Sequence, residues 1–486
     1  MTSPLSQKTN GPESDRDEFL PNNSTGRLEN KTELPLDGKP KITSTLILAA
    51  IVSSLGGLLF GFDTAVIAGT TNGITQWLGL SPKALGFAVS SALIGTIIGS
   101  VCFTRAGDLL GRRPVLRILA FLFFISAIGC MFAWDYWSLV FFRLIGGLGI
   151  GGASVFGPMY VSEISPARYR GRLVLLFQYN VCLGILAAYL SNAVIASYAF
   201  DPVQLEWRIM FGIEGIPAIL FILMLFLIPE SPRWLVSKGR LEEAGRVLMK
   251  VGEERVEDAL RLIRESFASG NSDRGAVPLF QKKYLYPILL GFGVAAFNQL
   301  SFVNGFLYYL NDTLREIGAS FGGQFQPVII GAFNVIACTV SIFIIDRFGR
   351  KTMLLIGSWG AAIPLGLCAY IAWTRELVEL FPWALATFIL FFSFSQGAVI
   401  WVYVSEVFPN TVRAKGQALG SFTHWGLCAV AAQVYPSVAA CMTNGIALPF
   451  AFGCLMMILQ FFVVRRYFVE TKGVPLEEIE KKLHIK

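Results

Sequence analysis

The stretch PMYVSEISPARYRGR, Pro158–Arg172, closes an apolar run and opens a basic one, and its centre returns later in the chain as YVSEVFPNTVRAKG, Tyr403–Gly416. Tyr160-Val161-Ser162-Glu163 recurs as Tyr403-Val404-Ser405-Glu406 at an offset of 243 residues, and Arg170 recurs as Arg413 at the same offset. Asp108-x-x-Gly111-Arg112-Arg113 comes back as Asp346-x-x-Gly349-Arg350-Lys351 at an offset of 238, and Glu230 is echoed by Glu470 at 240. One tetrapeptide is weak; four ordered matches at nearly one offset imply an internal duplication.

Around these motifs the chain is strongly apolar. Of its 486 residues 54% are hydrophobic and only 15% are charged, against about 25% charged in soluble domains. Apolar runs near the ~20 residues needed to cross a bilayer recur at roughly 45–70, 84–104, 114–133, 137–161, 173–197, 209–228, 285–310, 326–345, 352–373, 382–404, 415–439 and 446–464. Forty Phe, 10 Trp and 48 Gly fit such a class, because aromatic residues collect at membrane interfaces and Gly permits close helix packing. The expected fold is an all-α membrane protein of twelve transmembrane helices in two six-helix repeats. The eight Cys fall almost entirely within apolar segments, with no CxxC pair and no His beside them, so they read as small packing residues and not as a metal site or disulfide framework.

Orientation follows from the basic residues. With both termini placed in the cytoplasm, all but five of the 40 Lys and Arg fall on the cytoplasmic face, as the positive-inside rule requires. The exceptions are Lys83, Arg208, Arg315 and Arg375 on the opposite face and Arg143 within the fourth span. The net charge of +7 is thus spread over short interhelical clusters, which excludes a nucleic-acid-binding domain and leaves the lipid bilayer as the large partner. The expected divisions are a disordered cytoplasmic tail at 1–41, a six-helix half at 42–229, a cytoplasmic helical linker at 230–283, a second half at 284–467 and a cytoplasmic tail at 468–486. The first tail is polar, lacks the apolar core of a signal peptide and carries Asn-x-Ser/Thr triplets around Asn22, Asn23 and Asn30. The linker's RLEEAGRVLMKVGEERVEDALRLIRESF alternates apolar and charged residues at helical spacing.

At GDLLGRR, PMYVSEISPARYRGR, PESPRWL, NQLSFVNGFLYY, DRFGRK, YVSEVFPNTVRAKG and VETKG, the sequence resembles the sugar porter family of the major facilitator superfamily over nearly its whole length. Through GLLFGFDTAVIAGT in the first span it is most similar to the bacterial proton-coupled xylose symporters. The resemblance implies proton-coupled monosaccharide transport across a cell membrane by alternating access, performed by a monomer without cofactor or metal. Three positions depart from the family pattern: Asn298 stands for the first Gln of a pair, Leu109 for a basic residue, and VETKG for PETKG.

Asp63 lies deep in the first span, where an ionised carboxylate costs about 2.5–3.5 kcal/mol on insertion scales, so it is either a proton site or half of a structural ion pair. Arg143 and Glu214 are its natural companions. Arg112, Arg113, Glu163, Arg170, Glu230, Arg233, Arg350, Lys351, Glu406, Arg413 and Glu470 lie at cytoplasmic helix ends, where opposite charges can tie the halves together and part when that side opens. The resemblance makes them the charge network of the outward-facing state. For the sugar, the resemblance carries over Phe60, Gln178, Asn298, Gln299, Asn304, Tyr308, Asn334, Trp401 and Trp425, with His424 as a further candidate where the family often has Gln or Asn. On a straight helix Gln299 and Asn304 would lie about 140° apart at ~100° per residue, so a break in the seventh span is needed to turn both inward. A uniporter would share this site and keep Asp63 as a structural partner; a sugar sensor is the remaining alternative. No phosphate loop, metal cluster or nucleophile–base set suggests an enzyme.

Overall fold

The computed structural model describes residues 42–198, 204–272, 278–320, 323–409 and 412–472. The tail at 1–41, with its Asn triplets, and residues 473–486 lie outside the described residues. Every regular element described is helical.

The first five spans are single helices, α1 (Ser44–Leu78), α2 (Pro82–Leu110), α3 (Arg112–Met131), α4 (Tyr136–Ile164) and α5 (Ala167–Ser197). Their starts are set by local chemistry: Thr43 and Ser81 cap α1 and α2 with side-chain oxygens, Pro82 begins α2, and Asp135 forms a reciprocal capping box with Ser138. The sixth span breaks at Glu214 into α6 (Gln204–Gly212) and α7 (Gly215–Met224). The linker then forms α8 (Pro232–Ser237), α9 (Leu241–Lys250) and α10 (Val256–Ser272). Its apolar stripe, including Leu235, Ala244, Val247 and Val251, joins a core with Leu116, Phe156 and Phe221 of the first half. The amphipathic spacing therefore has its partner in the first half, on the face of the bundle that carries α8–α10, the linker side.

The seventh span is divided into α11 (Leu285–Leu300), α12 (Val303–Tyr308) and α13 (Leu310–Ile317). α14 (Gln326–Phe348) and α15 (Arg350–Thr374) are continuous, whereas the tenth span consists of α16 (Phe381–Phe392), a π turn at Ser393–Gly397 and α17 (Ala398–Val407). α18 (Arg413–Ala439) and α19 (Ala447–Tyr467) complete twelve spans. Among the described residues, eleven are long and apolar enough to cross a membrane on their own composition. α18 is the exception, because it carries Gln417, Ser421, Thr423, His424 and Gln433 toward the rest of the protein. Across the two halves α2 packs against α18 and α5 against α14. On the side away from the linker, Gln433 accepts from Ser90 at 3.0 Å and donates to the Lys83 carbonyl at 3.0 Å.

Candidate functional site

A cavity of about 710 Å³ lies between the halves. Its deep end is lined by Thr64, Leu307 and Trp425, and it runs past Pro158, Leu175, Ser405 and Gln417 toward the helix ends of the linker side. That size is within the range of small-molecule sites.

The break in the seventh span shapes one wall. After α11, Ser301 turns its hydroxyl back to the Asn298 carbonyl at 2.7 Å and receives the Val303 N–H at 3.3 Å, while Phe302 takes a left-handed φ of 61°. A non-glycine residue in that region is strained, and Phe302 is held there by ring contacts with Phe306 and Phe452. The detour brings Gln299 and Asn304 together: Asn304 Nδ2 donates to Gln299 Oε1 at 3.0 Å. Gln299 Nε2 in turn reaches Asn298 Oδ1 at 2.9 Å and the His424 ring at 3.3 Å. Facing this amide cluster are Trp401 and Trp425, which flank His424 at ring separations of 5.1 and 4.8 Å, and Phe60 lies 5.6 Å from Trp425. Opposite, Asn334 Oδ1 accepts from Ser393 at 2.7 Å. Tyr308 contacts the Cys428 sulfur at 3.7 Å, and Gln178 is exposed. All ten residues expected at the sugar site line this one cavity.

The charged group lies behind the wall. Arg143 Nη1 donates to Asp63 Oδ1, and the two side chains are 3% and 2% exposed. Asp63 Oδ2, Arg143 Nε and Glu214 Oε1 have no hydrogen-bond partner among the described residues. Glu214, at the break between α6 and α7, is 1% exposed, so it is buried within the bundle and not at a wet interface. Glu214 and Tyr308, the latter also a lining residue of the cavity, both lie within electrostatic range of Arg143.

At the linker side each half repeats one construction. In the first, Arg112 donates from Nε and Nη2 to Glu163 at 3.0 Å, Ser231 donates to Glu163 at 2.5 Å, and Glu230 accepts the backbone N–H groups of Arg112, Arg113 and Ser231. In the second, Arg350 donates to Glu406 at 3.0 Å, Thr471 donates to Glu406 at 2.5 Å, and Glu470 accepts the N–H groups of Arg350, Lys351 and Thr471. Gly111 and Gly349, at φ 102° and 85°, are required here, since a Cβ on either would lie 2.7 or 2.6 Å from the Glu230 or Glu470 carboxylate. Burial raises the Glu230 carboxyl above its ordinary pKa, and the three N–H donors oppose that shift. These bonds run within each half, not between the halves. Arg170 is exposed, and Arg413 donates to the Phe408 carbonyl at 3.3 Å.

The model of the family described as "Sugar (and other) transporter" matches residues 49–483. The chain belongs to that family. It is a transporter with the major facilitator fold. Among its relatives, the D-xylose-proton symporter of Escherichia coli (strain K12) is 34% identical over 477 residues, covering 90% of this chain and 96% of that one. The glucose transport protein of Synechocystis is 32% identical over 470 residues, covering 93% of this chain and all of that one. Among solved structures, the inward open conformation of the xylose transporter XylE from E. coli superimposes with a TM-score of 0.81 at 32% identity, covering 90% of this chain and 99% of that chain.

Two features of this transporter's cavity escape sequence reading. Ser393 sits on the π turn, whose extra residue shifts the phase of every side chain after it. The signal was the polar run Ser393-Phe394-Ser395-Gln396 in an apolar span. Cys182 and Cys338, read as packing residues, line the cavity, and the Cys182 sulfur lies 3.9 Å from Asn334 Oδ1.

Proposed function

We propose that the chain is a proton-coupled monosaccharide symporter in which the halves 42–229 and 284–467, joined by the linker 230–283, rock about the central cavity. The observation that carries the coupling is the buried Asp63–Arg143 pair set beside Tyr308, with Glu214 nearby and one carboxylate oxygen of Asp63 unbonded. A carboxylate kept within a span at about 2.5–3.5 kcal/mol needs a compensating role. Losing and regaining Arg143 as a partner would shift Asp63 between holding and releasing a proton. Amide groups of Gln178, Asn298, Gln299, Asn304 and Asn334 suit hydroxyls, while Phe60, Trp401 and Trp425 suit the C–H face of a sugar ring, with Tyr308 and His424 completing the set. The substrate class is a pentose, hexose or cyclic polyol; relatives named for xylose and glucose support the first two.

The protein works as a monomer in a cell membrane with both termini in the cytoplasm, so the linker side is the cytoplasmic side and the cavity described here opens inward. By resemblance, the linker-side clusters of the two halves approach one another when that side closes. A uniporter would keep the Asp63–Arg143 pair permanently, and the pair's presence in this conformation favours that as the second reading. Purified protein in liposomes, tested with radiolabelled sugars with and without an inward proton gradient, separates them: uphill accumulation supports symport, and equilibration without accumulation supports the uniporter.

A further inference from the structure

α5 and α14 belong to opposite halves and run side by side. Near the side away from the linker they touch closely, with Gly331 of α14 against Leu186 and Tyr189 of α5. Toward the linker side they part to form the cavity. Cys182 and Cys338 sit where contact gives way to cavity. The Cys182 sulfur is 3.9 Å from Asn334 Oδ1, Cys338 lies one helical turn beyond Asn334 on the same face of α14, and the two thiols are within side-chain hydrogen-bonding reach of each other. Both are 4–6% exposed, yet both line the cavity. A small oxidant entering the cavity can therefore reach a pair of thiols that bridges the two moving halves.

We propose that Cys182 and Cys338 form an oxidisable dithiol whose disulfide ties the two halves together and stops transport. The proposal rests on the reading of this cavity as the transport route. The oxidant class is a peroxide. One thiolate attacks a peroxide oxygen, the O–O bond breaks with loss of hydroxide, and a sulfenic acid forms. The second sulfur displaces hydroxide from that sulfur and the S–S bond closes. The two thiol protons leave with the two hydroxides as water, and the two electrons taken from sulfur reduce one peroxide. A cross-link between α5 and α14 opposes alternating access because those helices must move apart and together as the halves rock.

The test uses full-length protein carrying a protease site inserted at Gly239, an exposed turn of the linker, reconstituted in liposomes. After treatment with hydrogen peroxide, cleavage and non-reducing electrophoresis read the cross-link directly, and sugar uptake is measured on the same vesicles. The expected result is one uncleaved-size band, with uptake reduced at least tenfold and restored by dithiothreitol. Cys182→Ser and Cys338→Ser should each give two fragments and retain their own reduced-state uptake rate after peroxide. Two fragments from the unsubstituted protein, or inhibition that persists in both Ser variants, overturns the proposal. Absence of uptake in the reduced protein would count against the transport reading instead, while the cross-link is still read from the gel.

Discussion

Glu163 holds the Arg112 guanidinium by two hydrogen bonds of 3.0 Å, and both residues belong to the first half. Glu406 and Arg350 repeat the contact in the second half. The duplication visible in the sequence thus preserves a way of pinning the linker-side helix ends inside each half.

Two consequences follow for Glu163→Gln. The side chains are 10% and 12% exposed, so loss of the charge-assisted pair should lower stability by about 1.5–3 kcal/mol. Glu406→Gln should add its own loss almost independently, being in the other half. Thermal unfolding in detergent checks both. Labelling of cysteines introduced on the two faces should also move toward the linker-side-open state if, as proposed, the two clusters meet when that side closes, because the double variant removes a carboxylate charge from each cluster. An unaltered labelling ratio would confine these residues to the internal role.

Gln299 is the hub of the amide cluster, bonded to Asn298, Asn304 and His424. Alanine at Gln178, Gln299, Asn304 or Trp401 should weaken sugar binding by about 2- to 12-fold per lost hydrogen bond, with folded protein still in the membrane. Calorimetric titration of each purified variant is the measurement, and unchanged affinity in all four removes this cavity as the sugar site. Gln178 is the cleanest case, because it stands outside the hub and its loss leaves the cluster intact.

Gly331 lets α14 approach α5 closely. An added Cβ would lie 3.2 Å from Leu186 and from Tyr189, so the larger Gly331→Leu side chain cannot be accommodated without parting the helices. The variant should favour the conformation open away from the linker side. A cysteine placed at Thr71, which is buried in this conformation, should then react faster with a membrane-impermeant maleimide than in the unsubstituted background. Equal rates would mean that the wedge is absorbed locally.

The broken seventh span was legible because Gln299 and Asn304 could share a face only if the helix was interrupted. The residue that interrupts it, Phe302, carried no such signal, since a left-handed backbone at a phenylalanine is not encoded by residue type, and one of the rings packed against it, Phe452, comes from a distant span. Similarly, Glu230 and Glu470 were recognisable as a repeated pair, but their binding to backbone N–H groups past Gly111 and Gly349 depends on a turn geometry that composition does not encode. Cys182 is buried as a packing residue should be, but its place beside Asn334 of the other half was not legible, because it depends on the packing of α5 against α14. The eleventh span, α18, is too polar to qualify by composition alone, yet its apolar run at 415–439 was legible, because its polar residues are scattered among small and apolar ones and do not break the run.

The coupling prediction concerns Asp63, whose partner Arg143 lies 80 residues away and equally buried. Asn keeps the size and one hydrogen-bonding oxygen but cannot bind or release a proton. A proton moving down 100 mV contributes about 2.3 kcal/mol, roughly 50-fold in sugar accumulation at one proton per sugar. In liposomes, Asp63→Asn should lose that accumulation while keeping sugar binding and sugar-for-sugar exchange, because exchange needs no return of the empty carrier. The Asn variant also leaves Arg143 buried without a counter-charge, a change that costs stability, so thermal unfolding must accompany the flux assay to separate misfolding from uncoupling. If the unsubstituted protein equilibrates sugar but never accumulates it, the uniporter reading holds and Asp63 is a structural partner of Arg143. If both proteins accumulate sugar equally, the proton is carried elsewhere. Glu214, 1% exposed and with one oxygen unbonded among the described residues, is then the first group to replace, followed by His424.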